Sequence, residues 1–246
     1  MFKSAKLVLA ATAVAALVAC GGGGSGGGSS PVVTNADAQG YWTGVSNGGY
    51  TVNVAVLENG ESWGIYSLGS TIYGALYGTS SVSGSTFTVT GTEFDFLANR
   101  AVPGSLTGPV VAKSTLTLSN ANGSVPLKYV ASYDTPATAA AIAGTWSFTG
   151  RSGSYTLIPA TITISNAGTF TLAQTGCTSS GTVVPRPGGK NIYNITLTSS
   201  GTACATGQSS LSGVLNVDTT VTPNKFLSLA LTPSKNDGLI VIGTKQ

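Results

Sequence analysis

Residues 51–65 read TVNVAVLENGESWGI. Val52, Val54 and Val56 alternate with Thr51, Asn53 and Ala55, the period of two that marks a strand with one buried face. Asn59-Gly60 follows, a pair suited to a type I′ hairpin because both turn positions take positive φ. Trp63 and Ile65 then carry the return strand. Strand, short turn and strand predict antiparallel β-structure, and the rest of the chain is punctuated in the same way. Further strands are expected at 71–77, 85–90, 93–97, 109–118 and 126–133, then at 144–149, 155–164, 168–174, 180–184, 190–198, 209–216, 225–232 and 238–243. Short strands about ten residues apart indicate a sandwich or barrel. About eight of them can close a small barrel and so remove exposed edges.

The pattern occurs twice. Gly40-Tyr41-Trp42 is echoed by Gly144-Thr145-Trp146, and Tyr50-Thr51 by Tyr155-Thr156. Asn59-Gly60 corresponds to Asn166-Ala167-Gly168, and Ser105-Leu106-Thr107-Gly108 to Ser210-Leu211-Ser212-Gly213. Near-constant offsets of this length argue for two tandem domains rather than a solenoid. The one helical signal is Pro136–Ala143, with Pro136 at its start and Gly144 as its stop. It falls between the copies. The fold expected is all-β: two duplicated antiparallel barrel or sandwich domains, at 36–135 and 136–246.

What precedes them is of a different kind. Residues 1–20 are MFKSAKLVLAATAVAALVAC. Lys3 and Lys6 precede an apolar run that suits a secretory signal and falls short of the roughly 20 residues of a spanning helix. Leu17-Val18-Ala19-Cys20 resembles a bacterial lipobox. That resemblance implies a signal peptide at 1–19, cleaved before Cys20, with a diacylglyceryl group on the Cys20 sulfur and an acyl group on its nitrogen. Stable anchoring needs more than one such chain. Gly21 follows Cys20 where an aspartate would favour inner-membrane retention, so the resemblance implies the outer membrane. GGGGSGGGSS at 21–30 has no side chains to pack, and 20–35 is expected to be a flexible tether with a reach of roughly 20 Å.

Composition narrows the partners. Charged residues make up 8 % of the chain, so the surface is expected to be solvated by Ser and Thr hydroxyls. Residues 31–135 hold three basic and six acidic side chains, and 136–246 hold six and two. No basic stripe exists, which argues against nucleic acid. With Cys20 acylated, Cys177 and Cys204 remain as an even pair in an oxidising compartment and are expected to form a disulfide. The chain-entropy model gives about 3.6 kcal/mol for a loop of that length.

The G-x-W at the first strand of each copy, Gly40/Trp42 and Gly144/Trp146, is similar to that of lipocalin-like barrels, in which the tryptophan plugs one end. Taken with the lipobox and the glycine tether, the whole chain resembles uncharacterised two-domain proteobacterial lipoproteins. More distantly it resembles the small barrels of transferrin-binding-protein-like surface lipoproteins. These resemblances imply a fold and a location, with no functional residue to carry over.

Catalytic chemistry finds little footing. The chain has no histidine, which removes Ser-His-Asp and Cys-His catalysis and histidine-bound metals. Gly44-Val45-Ser46-Asn47-Gly48 matches G-x-S-x-G, but it lies between two strands and reads as a turn rather than a nucleophile elbow. Glu93 and Asp95 share one face of a strand, with Phe94 and Phe96 on the other. They form the best carboxylate pair for a hydrolase, although strand neighbours seldom face each other across a cleft. No cofactor or metal site is expected.

Twelve aromatics fall in 31–135 and six in the later copy. Trp63, Tyr66, Tyr73 and Tyr77 lie on adjacent predicted strands, with Tyr73 and Tyr77 on one face. Such residues suit protein or glycan contact, and they also suit a small core. The expected function is therefore non-catalytic binding of a protein, glycan or small apolar ligand by an outer-membrane lipoprotein. A structural envelope component without a ligand is the alternative, and a carboxylate hydrolase a remote one. A hollow apolar barrel would favour ligand carriage. A filled barrel bearing an exposed aromatic patch would favour a partner surface.

Overall fold

The computed structural model describes residues 37–246 apart from 70, 154, 205, 206 and 208, with the backbone alone at 155–158. Residues 1–36, which include the leader, Cys20 and the whole 20–35 tether, lie outside the described residues. The first copy runs β1 (Gly40–Val45), β2 (Thr51–Val56), β3 (Glu61–Leu68), β4 (Thr71–Ser83), β5 (Thr86–Asp95), β6 (Arg100–Val111), β7 (Thr115–Asn120) and β8 (Gly123–Tyr129). These form a closed antiparallel barrel, sealed where Trp42, Thr43 and Gly44 of β1 meet Tyr129, Lys128 and Leu127 of β8.

A 3-10 turn (Ala131–Asp134) and the short helix α1 (Ala139–Ile142) lead to the second copy. Thr138, not Pro136, caps this helix: its hydroxyl accepts from the Ala141 N–H. The second copy runs β9 (Gly144–Ser152), β10 (Tyr155–Ile164), β11 (Thr169–Gln174), β12 (Cys177–Pro185), β13 (Tyr193–Ser200), β14 (Ser209–Asp218), β15 (Lys225–Leu231) and β16 (Gly238–Lys245). The order β10-β9-β16-β15-β14-β13-β12-β11 makes a barrel that is nearly closed, with a seam between β10 and β11.

Several turns differ from their sequence reading. Gly60 has φ +81°, but Asn59 does not take positive φ. The turn is a Leu57–Gly60 loop, closed by Gly60 N–H to Leu57 O and Leu57 N–H to Glu61 O. Ser165–Gly168 repeats it, with Gly168 at φ +78°. Only the last turn residue therefore needs a glycine. The strands expected at 85–90 and 93–97 are one strand, β5. Gly91, which looks like a break, pairs with Gly78 and Gly104 in a row that lets the barrel wall coil. The strand expected at 109–118 is a hairpin, because Lys113 turns the chain at φ +52° with no glycine or asparagine to signal it.

Each barrel has its own interior. In the first, Trp42, Val54, Val56, Phe87, Val89, Leu116 and Leu127 pack together. In the second, Trp146, Phe170, Val183, Leu197, Leu215 and Phe226 do so. A third cluster joins the two. Ala55, Trp63, Ile65, Ile72, Ala75, Phe94 and Phe96, on the outer face of the first barrel, meet Val214, Leu229, Leu231 and Ile240 on the outer face of the second. Polar ties frame this seam. Arg151 donates to the Phe96 and Ile72 carbonyls at 3.1 and 3.5 Å, Arg186 pairs with Glu58 at 2.7 Å, and Lys190 pairs with Asp134 at 2.7 Å. The exposed walls carry cross-strand hydroxyl pairs such as Thr88–Thr107 and Thr182–Thr196.

Candidate functional site

The two G-x-W segments build the same device. Trp42 and Trp146 are fully buried, and each indole N–H donates to the carbonyl four residues earlier, Ala38 at 3.1 Å and Ile142 at 2.8 Å. Gly40 is required because a Cβ there would stand 2.8 Å from the Trp42 indole nitrogen. In the second barrel α1 closes the same end. The Tyr193 hydroxyl donates to Thr138 O, and Lys245 Nζ donates to Ala141 O while lying 5.4 Å from the Trp146 ring centroid.

Above that plug the second barrel is hollow. Its cavity measures about 1020 Å³, at the top of the roughly 300–1,000 Å³ usual for ligand sites. Phe148, Ile162, Ile164, Phe170, Val183, Leu197, Leu215, Phe226 and Val241 line its depth with Ser228, whose hydroxyl donates to the Val214 carbonyl at 3.2 Å. Gln174, Thr175, Ser179, Ser199 and Thr202 stand toward the opposite end of the strands, where the Cys177–Cys204 disulfide (S–S 2.02 Å) ties the start of β12 to the loop after β13. Ser179 and Ser199 share a hydroxyl contact at 2.9 Å. None of the lining residues is charged.

The seam has a local cause. The hairpin at Ser165–Thr169 holds the bases of β10 and β11 together, but no ladder joins the strands beyond it. In the first copy the equivalent β2 and β3 pair along six positions, from Thr51↔Ser67 to Val56↔Ser62. β10 is longer than β2, and its register with β9 shifts between Leu157 and Ala160. Pro159, which has no N–H to give, lies within that irregularity. A bulged strand bends and twists, which carries β10 away from β11.

The aromatic residues singled out in the sequence do not share one open face. Trp63 is buried in the cluster between the barrels, and Tyr77 packs against it with ring centroids 4.6 Å apart. Lys235 of the second barrel lies over both rings, at 5.3 and 4.9 Å. Tyr66 points the other way and donates to Glu93 Oε1 at 2.8 Å. Tyr73 falls at the register shift between Tyr66 and Ser67, and its ring meets that of Tyr50 at 5.1 Å. The shift breaks the spacing that would have put Tyr73 beside Tyr77.

Glu93 and Asp95 do lie on one face of β5, with Phe94 and Phe96 buried on the other side, but the sense is inverted. The phenylalanines face the second barrel, and Glu93 shares the side of Phe87 and Val89, toward the first barrel's interior. Burial pushes the Glu93 carboxyl up, against the Tyr66 hydrogen bond. Burial, with Glu93 beside it, raises the Tyr66 phenol. Asp95 turns instead to Arg100 at 3.5 Å and to the Leu97 and Ala98 N–H groups.

A smaller cleft of about 270 Å³ lies where the barrels meet, among Tyr41, Asn53, Asn216, Asp218 and Lys225. Burial and the Asp218 charge push the Tyr41 phenol up there. Among the described residues no cluster of three metal-ligating side chains occurs, and no helix is long and apolar enough to cross a membrane.

Of the residues that the sequence reading singled out, only the Cys177–Cys204 pair lines the cavity. That reading followed aromatic surplus to the first copy, whereas the hollow is in the second. Its one sequence signal is Pro159, a proline in the middle of a strand that its counterpart lacks.

No protein-family model matches the chain, and no curated protein matches it. Solved structures with some likeness include a "putative outer membrane protein" from Bacteroides fragilis, 13 % identical, covering 85 % of this chain and 95 % of that one, with a TM-score of 0.24. Another is a protein of unknown function from the DUF3598 family of Nostoc punctiforme, 9 % identical, covering 85 % and 94 %, with a TM-score of 0.24.

Proposed function

We propose that this chain is an envelope lipoprotein whose second barrel binds a small apolar ligand without catalysing its conversion. The observation that carries the reading is the cavity: about 1020 Å³, lined mainly by apolar side chains, plugged by Trp146 at one end and with the disulfide among the residues lining the other. A hollow of this size inside a barrel leaves room for a guest, whereas ordinary interiors are close-packed with few voids larger than a water molecule. The lipobox-like Leu17–Cys20 and the glycine tether support anchoring by an acylated Cys20, and Gly21 supports the outer membrane as the destination.

The binding test is titration of the chain from residue 21 onward with Nile red, an apolar fluorescent dye. Saturable binding at about one dye per chain is expected. Leu197, whose side chain is buried on the cavity wall, offers the control: Leu197→Trp fills the hollow and is expected to weaken the dye at least tenfold with an unchanged circular dichroism spectrum. Undiminished binding in a folded Leu197→Trp protein would remove the cavity as the site. For the anchor, Cys20→Ser is expected to abolish acylation and release the chain from sedimented membranes. A variant that still sediments would refute that half of the reading.

A further inference from the structure

We infer that the ligand of the second barrel is a neutral amphiphile: a hydrocarbon body with an uncharged, hydrogen-bonding head. This rests on the cavity reading above and adds the chemistry of the head group. The depth of the cavity is apolar apart from Ser228, whose hydroxyl is already spent on the Val214 carbonyl at 3.2 Å, while the other polar groups gather toward one end of the strands. Ser179 and Ser199 face each other at 2.9 Å, and Gln174 and Thr175 stand on the neighbouring strand and turn.

What Ser179, Ser199, Gln174 and Thr175 offer is hydroxyl and amide, which serve an ester, alcohol or amide head equally as donor and acceptor.

What this end lacks is charge. No lining residue is charged, and neither 153–158 nor 199–209 contains a charged residue. The basic side chains nearest this end of the barrel are committed elsewhere. Arg151 is spent on the Ile72 and Phe96 carbonyls, and Lys235 on the Trp63 and Tyr77 rings. Asp237 accepts from the Gly238 N–H. A carboxylate or phosphate entering here finds no cation among the lining residues, and an ammonium finds no anion among them. Desolvating an unpaired ion is far more costly than desolvating a neutral head.

The test displaces Nile red from the chain from residue 21 onward with three compounds of one chain length, each kept below its micelle concentration at pH 8. These are 1-palmitoylglycerol, palmitate and hexadecyltrimethylammonium. The glycerol ester is expected to displace the dye at a free concentration at least tenfold below either ion. Equal or better displacement by an ion, with the dye itself bound, would overturn the neutral head and leave the cavity reading intact. Failure of the dye to bind would overturn both. Ser179→Ala with Ser199→Ala removes both members of one hydroxyl pair and so strands no partner. It is expected to weaken the glycerol ester about fivefold and leave Nile red unchanged. An unchanged ester affinity would overturn the placement of the head.

Discussion

Replacing Trp63 by alanine separates a docking surface from a structural joint. The indole is 5 % exposed and sits among Ala55, Ile65, Ile72 and Phe94 of its own barrel and Leu229, Leu231 and Ile240 of the other. Truncating a buried tryptophan costs about 3–5 kcal/mol. The edge contact with Tyr77 at 4.6 Å and the Lys235 ammonium at 5.3 Å fall partly within that figure, because contacts sharing one side chain do not add. The expected loss is about 4 kcal/mol, a large part of an ordinary domain's stability. Trp63→Phe should cost far less, about 1–2 kcal/mol, because the buried indole N–H has no acceptor and its removal relieves an unsatisfied donor. Lys235→Ala should cost about 1 kcal/mol, and less once Trp63 is alanine, when only the Tyr77 ring at 4.9 Å still faces the ammonium. The assay is urea denaturation followed by circular dichroism, with both single variants and the double. A Trp63→Ala midpoint equivalent to within about 0.5 kcal/mol of wild type would refute the shared core and return Trp63 to the surface.

Removing the disulfide by Cys177→Ala with Cys204→Ala is expected to cost about 3.6 kcal/mol from loop entropy, read as a lower urea midpoint; a shift below about 1 kcal/mol would contradict it. Asp134 gives a pH signature. The hydrogen bonds from Lys113 and Lys190, at 2.8 and 2.7 Å, hold its carboxyl at about 2 against an ordinary 3.8. The stabilisation is therefore present above about pH 4 and lost as pH falls through about 2. Its size is about 1 kcal/mol or less because the pair is partly exposed and screened. The wild-type advantage over Asp134→Asn should shrink to nothing across that window, and also in about 1 M salt; a constant difference from pH 5 to 2 would contradict it.

The sequence carried the fold because β-structure announces itself through alternation and turn chemistry, and this chain states both twice. The second copy was read almost strand for strand, since glycine, proline and asparagine mark most of its turns. The first was less legible where those marks mislead: Gly91 looks like a break and is the coiling point of β5, while Lys113 makes a turn in the guise of a strand residue. Burial was harder to read. Alternation tells which residues share a face, Glu93 with Asp95 and Phe94 with Phe96, but not whether the outer face of a barrel meets water or another barrel. Phe94 and Phe96 share a face as alternation predicts, but that this face, with Trp63, meets a second barrel is not legible, because the docking of two folded units leaves no local signature. The surplus of aromatics in the first copy has part of its explanation there: Trp63, Tyr77, Phe94, Phe96 and Tyr133 belong to or pack on the joint. The cavity was harder still, since a hollow interior and a filled one show the same alternation.

The arrangement of the joint bears on how a duplicated fold comes to hold one filled barrel and one open one. The wall of the second barrel that docks on the first is β14–β16, which supplies Val214, Leu227, Leu229, Leu231, Ile240 and Ile242. In the strand order β10-β9-β16-β15-β14-β13-β12-β11 these are the middle strands, and the unladdered pair β10 and β11 is at the two ends, across the barrel from the joint. The first barrel therefore braces the wall opposite the seam. A small barrel that gives up one ladder loses hydrogen bonds and exposes two edges, and the void inside it forfeits further packing. Stability has to be recovered outside the interior, because a hollow interior supplies less packing of its own. The shared apolar cluster and the Arg151, Arg186 and Lys190 ties do this without touching the cavity lining. Cys177–Cys204 restrains the loop at the polar end. The closed copy thus works as a brace, and duplication supplied it in a shape already able to present a broad apolar sheet face.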